Sequence, residues 1–304
     1  MPRVFVSRRV PGRVRDELER LFELDVHDSE FPPAREELLR RVAGVDGLVM
    51  VPADRVDEEL FEAAGRALRV VANYGVGIDN VDLGAAKRRD VVVTNTPDVL
   101  TRPTAELAIA LVLALLRRVA EGDRLLRSRR PWPWAPTFML GEGLEGKTLG
   151  IVGYGRIGRE VARLAEAVGM EVISTAPLPL EDLLGRADVV TLHVPLTGDT
   201  RHLIDDDALA RMRPAAYVVN TARGAVVDER ALIRALREGR IAGAALDVFE
   251  REPDVEAGLL DLDNVVLTPH LGSATRAARD AMGMLCVEAL RDVLVDGQRP
   301  RYTV

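Results

Sequence analysis

The chain has 304 residues, more than one hydrophobic core usually serves, and 47% of them are hydrophobic, so two globular domains are expected. Its 41 basic and 48 acidic residues leave a net charge of −7, with Lys87 and Lys147 the only lysines, and no basic field exists to attract phosphate backbones; no nucleic-acid partner is expected. The lone cysteine, Cys286, cannot close an internal disulfide. The N-terminal MPRVFVS lacks the apolar run of a secretory leader, and the longest apolar run, LAIALVLALL over 107–116, is too short to cross a bilayer; a cytoplasmic protein with no membrane partner is expected.

Over the first hundred residues, β-branched runs alternate with helical patterns: RVFVS, VRDELERLF, ELDVH, REELLRRV, GLVMV, DEELFEAAG, LRVVAN and DVVVTN. That alternation predicts a parallel sheet covered by helices. A long helix is predicted from about Thr101 through Leu126, with Pro103 in its first turn. Prolines and glycines then break the periodicity in RSRRPWPWAPTFMLGEGLEGKT, which reads as a loop. A second series follows, with strands at LGIVG, EVIST, ADVVTLH, AYVVNT, GAALDV and NVVLTPH, and a last helix over about 274–296 that returns to the first domain. The fold class is therefore α/β, with two Rossmann-like or flavodoxin-like domains: 1–98 plus 276–304, and 99–275.

GYGRIG sets Gly153, Gly155 and Gly158 between an apolar strand and the amphipathic pattern REVARLAEAVG, the context a dinucleotide turn requires. Gly153 makes the tight turn, Gly155 admits a pyrophosphate close to the backbone, and Gly158 lets helix and strand pack closely. The amides near Arg156 and Ile157 then face the anion at the helix N-terminus. No metal is expected.

In order along the chain, GVGIDNVD, LTRPTAELAIALVLAL, GYGRIG, LHVPLT, NTARGAVVDERAL, GAALDVFEREP and LTPHLGSAT resemble the blocks of the D-isomer-specific 2-hydroxyacid dehydrogenases, most of all the glyoxylate/hydroxypyruvate reductase branch. The resemblance spans essentially the whole chain. It implies that 99–275 binds NAD(P), that the other domain binds substrate, and that the active site lies in the cleft between them. It implies NAD(P)H-dependent reduction of a small 2-keto acid to the 2-hydroxy acid. The alternatives are a D-lactate or 3-phosphoglycerate type of dehydrogenase, or a non-catalytic NAD(P)-sensing protein on the same fold.

Such a reduction needs a cation for the substrate carboxylate, an acid for the oxygen that gains charge, and a control on that acid. Arg223 follows a predicted strand end, and its guanidinium suits two-pronged binding of carboxylate and carbonyl oxygens. His270 stands at the carboxyl end of a predicted strand and is the general acid. The carboxylate controlling it is Glu250 or Glu252 on residue types alone; the family's Glu-Pro placement implies Glu252. Reduction is then expected to weaken at alkaline pH as His270 loses its proton. By resemblance, Asp247 accepts a hydrogen bond from the nicotinamide carboxamide, Thr221 and Ala222 line that side, and Thr104, Pro195 and Gly272 also contact cofactor. His193 lines the cofactor without moving a proton, whereas His27 and His202 have surface or structural roles. Gly75, Val76 and Gly77 belong to the substrate site, where the backbone amides of Val76 and Gly77 meet the substrate carboxylate. The resemblance to the glyoxylate reductase branch further implies that Trp134 reaches the neighbouring subunit's active site, in a homodimer expected around the 107–116 helix.

About 20 residues beyond the glycine turn, where NAD-preferring domains carry Asp or Glu, stands Ala176. The repulsion against a 2′-phosphate is gone. No Arg or Lys follows in Pro177, Leu178 and Pro179, and only the hydroxyls of Ser174 and Thr175 are offered. Both cofactors are therefore expected to bind, with NADP slightly favoured over NAD.

Overall fold

The computed structural model describes residues 1–304, and their contacts divide the chain into two units: Met1–Leu100 with Thr275–Val304, and Thr101–Ala274.

The first unit runs β1 (Arg3–Val6), α1 (Gly12–Leu21), β2 (Glu23–Val26), α2 (Arg35–Arg41), β3 (Gly47–Met50), α3 (Glu58–Ala64), β4 (Val70–Asn73), α4 (Leu83–Arg88) and β5 (Val92–Thr94). Its strands pair in parallel in the order β2-β1-β3-β4-β5. The central strands GLVM and VVAN are buried at every position, as a sheet covered on both faces requires. Helix α4 escapes a reading by periodicity because it has only six residues; Asp82, which accepts the Ala85 N–H at 2.9 Å, starts it.

The second unit runs α5 (Thr101–Leu116), α6 (Val119–Arg127), β6 (Thr148–Val152), α7 (Arg156–Ala167), β7 (Glu171–Ser174), α8 (Leu180–Arg186), β8 (Val189–Leu192), α9 (Asp206–Arg211), β9 (Tyr217–Asn220), α10 (Glu229–Arg237), β10 (Gly243–Leu246), α11 (Ala257–Leu260) and β11 (Val265–Leu267). The single helix expected from Thr101 to Leu126 is two. Arg118 adopts φ +54, which ends the first, and the Leu116 carbonyl is taken by the Glu142 amide at 2.9 Å instead of continuing a helical ladder.

All six strands are parallel, in the order β11-β10-β9-β8-β6-β7. The order reverses between β6 and β8, the switch point outside which α/β sheets bind ligands. Strand β7 is an edge, because α8 leads straight from it to β8 and no strand is laid beyond it. Helix α12 (Arg276–Leu294) belongs to the first unit, where it packs on α1 and β4 and buries Cys286. No helix is long and apolar enough to cross a membrane.

Candidate active site

The glycine turn joins β6 to α7. Gly153 has φ +96, and a Cβ there would lie 2.6 Å from the His193 carbonyl oxygen, so both conformation and space demand glycine. A Cβ on Gly158 would lie 2.2 Å from the Gly153 oxygen, which is the close helix-to-strand approach, whereas one on Gly155 would meet nothing within 4 Å. Arg159 is the first residue of α7 whose N–H finds a helical acceptor, Gly155 O at 3.0 Å, and no side chain caps the helix. The amides before it, Ile157 among them, present the positive end of the helix dipole beside that open space. Beyond the turn, Val152, Thr175, Pro177, Leu178, Pro179, Leu180, Val194 and Leu203 line an open, mainly apolar groove of about 380 Å³. An anion-binding helix end next to an apolar slot fits a dinucleotide.

Ala176 is exposed at the end of β7 and brings no charge to that groove. Of the two hydroxyls expected to be offered to phosphate, the Ser174 O–H is spent within the protein, whereas Thr175 is engaged as an acceptor and keeps its O–H. Thr175 Oγ1 accepts the Gly153 N–H at 3.1 Å, and Ser174 Oγ donates to the Ala176 carbonyl at 3.1 Å. They shape the turn and the end of the edge strand.

Arg223, Glu252 and His270 all come from segments that follow strands of this sheet, β9, β10 and β11 respectively. Asn220 frames the first of these, its amide donating to the Arg223 carbonyl at 2.9 Å and accepting the Ala222 N–H at 3.0 Å. Arg223 is half-buried and donates to the Ala222 carbonyl at 2.8 Å. His270 has φ +54, a left-handed conformation rare for a non-glycine residue. Its Nδ1 meets Glu252 Oε2 at 2.8 Å, and Glu252 Oε1 accepts the Phe249 N–H at 3.0 Å. Burial pushes the Glu252 carboxyl up, but the His270 hydrogen bond and charge, the Phe249 amide and the Arg223 charge outweigh it and hold the carboxyl below its ordinary range. Of the two glutamates that residue type left open, Glu252 is the one bonded to His270; Glu250 turns the other way.

Asp247 holds the unusual His270 turn. It is fully buried; its Oδ1 accepts Thr268 Oγ1 at 2.6 Å and the Leu271 N–H at 2.7 Å, and its Oδ2 accepts the Gly272 N–H at 2.8 Å. Burial raises its carboxyl and these donors oppose the rise. Three of its roughly four acceptor positions are filled from within the protein.

Thr104 is buried beside Gly272, where a glycine Cβ would come within 3.4 Å of it. The Thr221 hydroxyl, at the end of β9, is buried with no hydrogen-bond partner. The Pro195 carbonyl accepts Thr200 Oγ1 at 2.6 Å. His193 Nε2 lies 3.0 Å from Thr191 Oγ1, and burial lowers its pKa to about 4, so it is neutral at pH 7 and suited to lining a site. His27 pairs with Arg41 at 3.1 Å.

In the first unit, three successive carbonyls are pinned: Gly75 O by the Thr96 N–H at 3.0 Å, Val76 O by Asn95 Nδ2 at 2.9 Å, and Gly77 O by Asn73 Nδ2 at 2.7 Å. In a trans peptide the N–H points opposite to the C=O, so the amides of Val76, Gly77 and Ile78 are turned away from these pins. Trp134 is 87% exposed in the loop after α6, a large apolar ring left in water.

Sequence reasoning passed over Asn73, Asn95, Gly224, Glu229 and the partners of Glu250. Position was the one signal: Glu229 directly follows Asp228, which caps α10 by accepting the Ala231 N–H at 3.0 Å, so Glu229 was not needed as a cap.

Residues 109–272 match the family model for the D-isomer specific 2-hydroxyacid dehydrogenase, NAD binding domain. The chain is 48% identical to a glyoxylate reductase from Pyrococcus furiosus, across 95% of this chain and 91% of that one. A crystal structure of a Thermus thermophilus protein superimposes with a TM-score of 0.93 at 47% identity, covering 99% of both chains. An NADPH-dependent glyoxylate/hydroxypyruvate reductase from Sinorhizobium meliloti, solved with NADP and malonate, gives 0.85 at 34% identity over 100% of this chain and 96% of that one. The chain belongs to the D-isomer-specific 2-hydroxyacid dehydrogenase family.

Proposed function

We propose that the protein is an NAD(P)H-dependent reductase of small 2-keto acids, acting on glyoxylate and hydroxypyruvate. The observation that carries this reading is the Glu252–His270 pair at 2.8 Å with the Arg223 charge beside it, on segments that follow neighbouring strands. Relatives that bear the name glyoxylate reductase support the substrate class.

The nicotinamide supplies a hydride when bound. Gly153, Gly155, Arg156, Ile157 and Gly158 hold its pyrophosphate, the groove beyond Ala176 takes the adenosine end, and Thr104, Pro195, Thr221, Ala222, Asp247 and Gly272 hold the nicotinamide end. Arg223 binds the substrate carboxylate and carbonyl oxygen, and the amides of Val76 and Gly77 take part in binding the carboxylate; Gly75, expected at the substrate site, donates its N–H to the Asn73 carbonyl at 2.8 Å instead. With Nδ1 of His270 engaged by Glu252, Nε2 is the nitrogen that delivers a proton to the new alkoxide. In the oxidative direction the same nitrogen removes it.

Following absorbance of the reduced cofactor with a panel of 2-keto acids tests this reading: turnover is expected with glyoxylate or hydroxypyruvate, and its absence with every keto acid and either cofactor rejects it. Both cofactors serve, with NADPH slightly preferred, because Ala176 removes a like charge without any cation replacing it. Ala176→Asp is expected to lower kcat/KM for NADPH relative to NADH by about tenfold or more, since a carboxylate beside a 2′-phosphate is repulsive. A parent enzyme that already prefers NADH by orders of magnitude overturns this account.

The working form is a homodimer in the cytoplasm. Trp134, with Leu113, Val119, Leu126 and Leu140 also exposed on this unit, supports burial against a second copy, and the buried, unpaired Cys286 suits a reducing compartment. Trp134→Ala is expected to change the KM for keto acid several-fold in an intact dimer while turnover persists; an unchanged KM removes Trp134 from the site.

A further inference from the structure

We propose that Glu229, Glu250 and His202 form a positioning clasp that sets Arg223 against the Glu252–His270 pair, an inference that rests on the reductase reading above. The clasp is reciprocal. Glu229 Oε1 accepts the backbone N–H of Glu250 at 2.7 Å, and Glu250 Oε1 accepts the backbone N–H of Glu229 at 3.1 Å. Glu250 Oε2 then meets His202 Nε2 at 3.2 Å, with Arg201 at 4.0 Å, and the His202 N–H donates to the Ala225 carbonyl at 2.8 Å. Three segments, following β8, β9 and β10, are thereby tied at one point.

Glu229 is only 5% exposed, and a buried carboxylate is retained at a desolvation cost. It does not serve its own helix, because Asp228 already caps α10. Its carboxylate serves the neighbouring loop instead, through charge-assisted bonds to main-chain amides.

A second observation, independent of these bonds, fixes the same junction. A Cβ on Gly224 would lie 1.9 Å from the Phe249 carbonyl carbon and 2.3 Å from the Glu250 nitrogen. The residue after Arg223 therefore rests directly on the peptide that Glu229 grips. One residue along that segment, the Phe249 N–H donates to Glu252 Oε1, and Glu252 Oε2 bonds His270. The path from Glu229 to the Glu250 amide, the Phe249 amide, Glu252 and His270 is unbroken. Releasing its first link frees the loop that carries Glu252 from the segment that carries Arg223, and a misplacement of about 1 Å between reacting groups costs on the order of 100-fold in rate.

The test compares Glu229→Leu with Glu229→Gln, which keeps an oxygen to accept the Glu250 N–H. Glu229→Leu is expected to lower kcat by about 10- to 100-fold with cofactor affinity, read by fluorescence titration, within about twofold of the parent. The Phe249 and Glu250 amides exchange hydrogen at least about tenfold faster. Glu229→Gln restores most of each property. Should Glu229→Leu fail to fold, Gly224→Ala, which pushes the same two segments apart, carries the same kinetic and exchange expectations. Parental kcat and amide exchange in a folded Glu229→Leu protein, or equal losses in the Leu and Gln variants, overturn the clasp. A parent inactive on every keto acid rejects the reductase reading instead, and the exchange measurement still decides whether the junction is held by Glu229.

Discussion

Replacing His270 by Ala is expected to lower kcat for keto-acid reduction by about 100- to 10,000-fold, the range a positioned proton donor contributes, while cofactor binding stays close to the parental value. The loss arises because the alkoxide formed on hydride arrival has no acid at Nε2 to neutralise it. Glu252→Gln separates the proton donor from its control. The carboxyl of Glu252 is held below its ordinary range by its surroundings, so it is ionised at neutral pH and favours the imidazolium; as pH falls through that lowered value the group protonates and the support is lost. Glu252→Gln, which removes that charge and leaves His270 Nδ1 without its carboxylate, is expected to lower kcat for reduction by about tenfold or more with parental cofactor affinity. A reduction rate in the parent that is flat from neutral to alkaline pH, with chemistry limiting, removes His270 from the acid role.

Arg223→Ala is expected to reduce kcat/KM for the keto acid by about 1000-fold, on the order of 4 kcal/mol of transition-state stabilisation. On the proposed reading it removes both the partner of the substrate carboxylate and a positive charge near the oxygen that gains an electron pair. Arg223→Lys keeps the charge but loses the planar fork, so it should recover only part of the loss, leaving a deficit of about 10- to 100-fold. Added guanidinium ion should partly restore Arg223→Ala and have no effect on His270→Ala. An Arg223→Ala enzyme with parental kcat/KM and parental KM would show that the guanidinium serves only the Ala222 carbonyl and its neighbours.

The alternation of β-branched runs and helical patterns determined two parallel-sheet units, because strands buried on both faces require predominantly apolar stretches such as GLVM and VVTL. The glycine turn was legible for a local reason: Gly153 and Gly158 sit where a side chain collides with backbone only a few residues away or on the next strand, so the constraint is written in residue type. Arg223, Glu252 and His270 were legible through blocks whose order resembles a known family. Residue type alone left Glu250 and Glu252 equivalent, and only the tertiary structure turned one toward His270 and the other toward Glu229 and His202. The same holds for Asp247, whose bonds reach 21 to 25 residues along the chain, and for Thr175, whose hydroxyl reaches 22 residues back to Gly153. A side-chain bond to a distant main-chain amide leaves no periodicity or spacing for a sequence to display. Helix α6 was hidden for a related reason: good helix formers continue across Arg118, and it is the Glu142 amide on the Leu116 carbonyl, brought there by the loop, that marks the break.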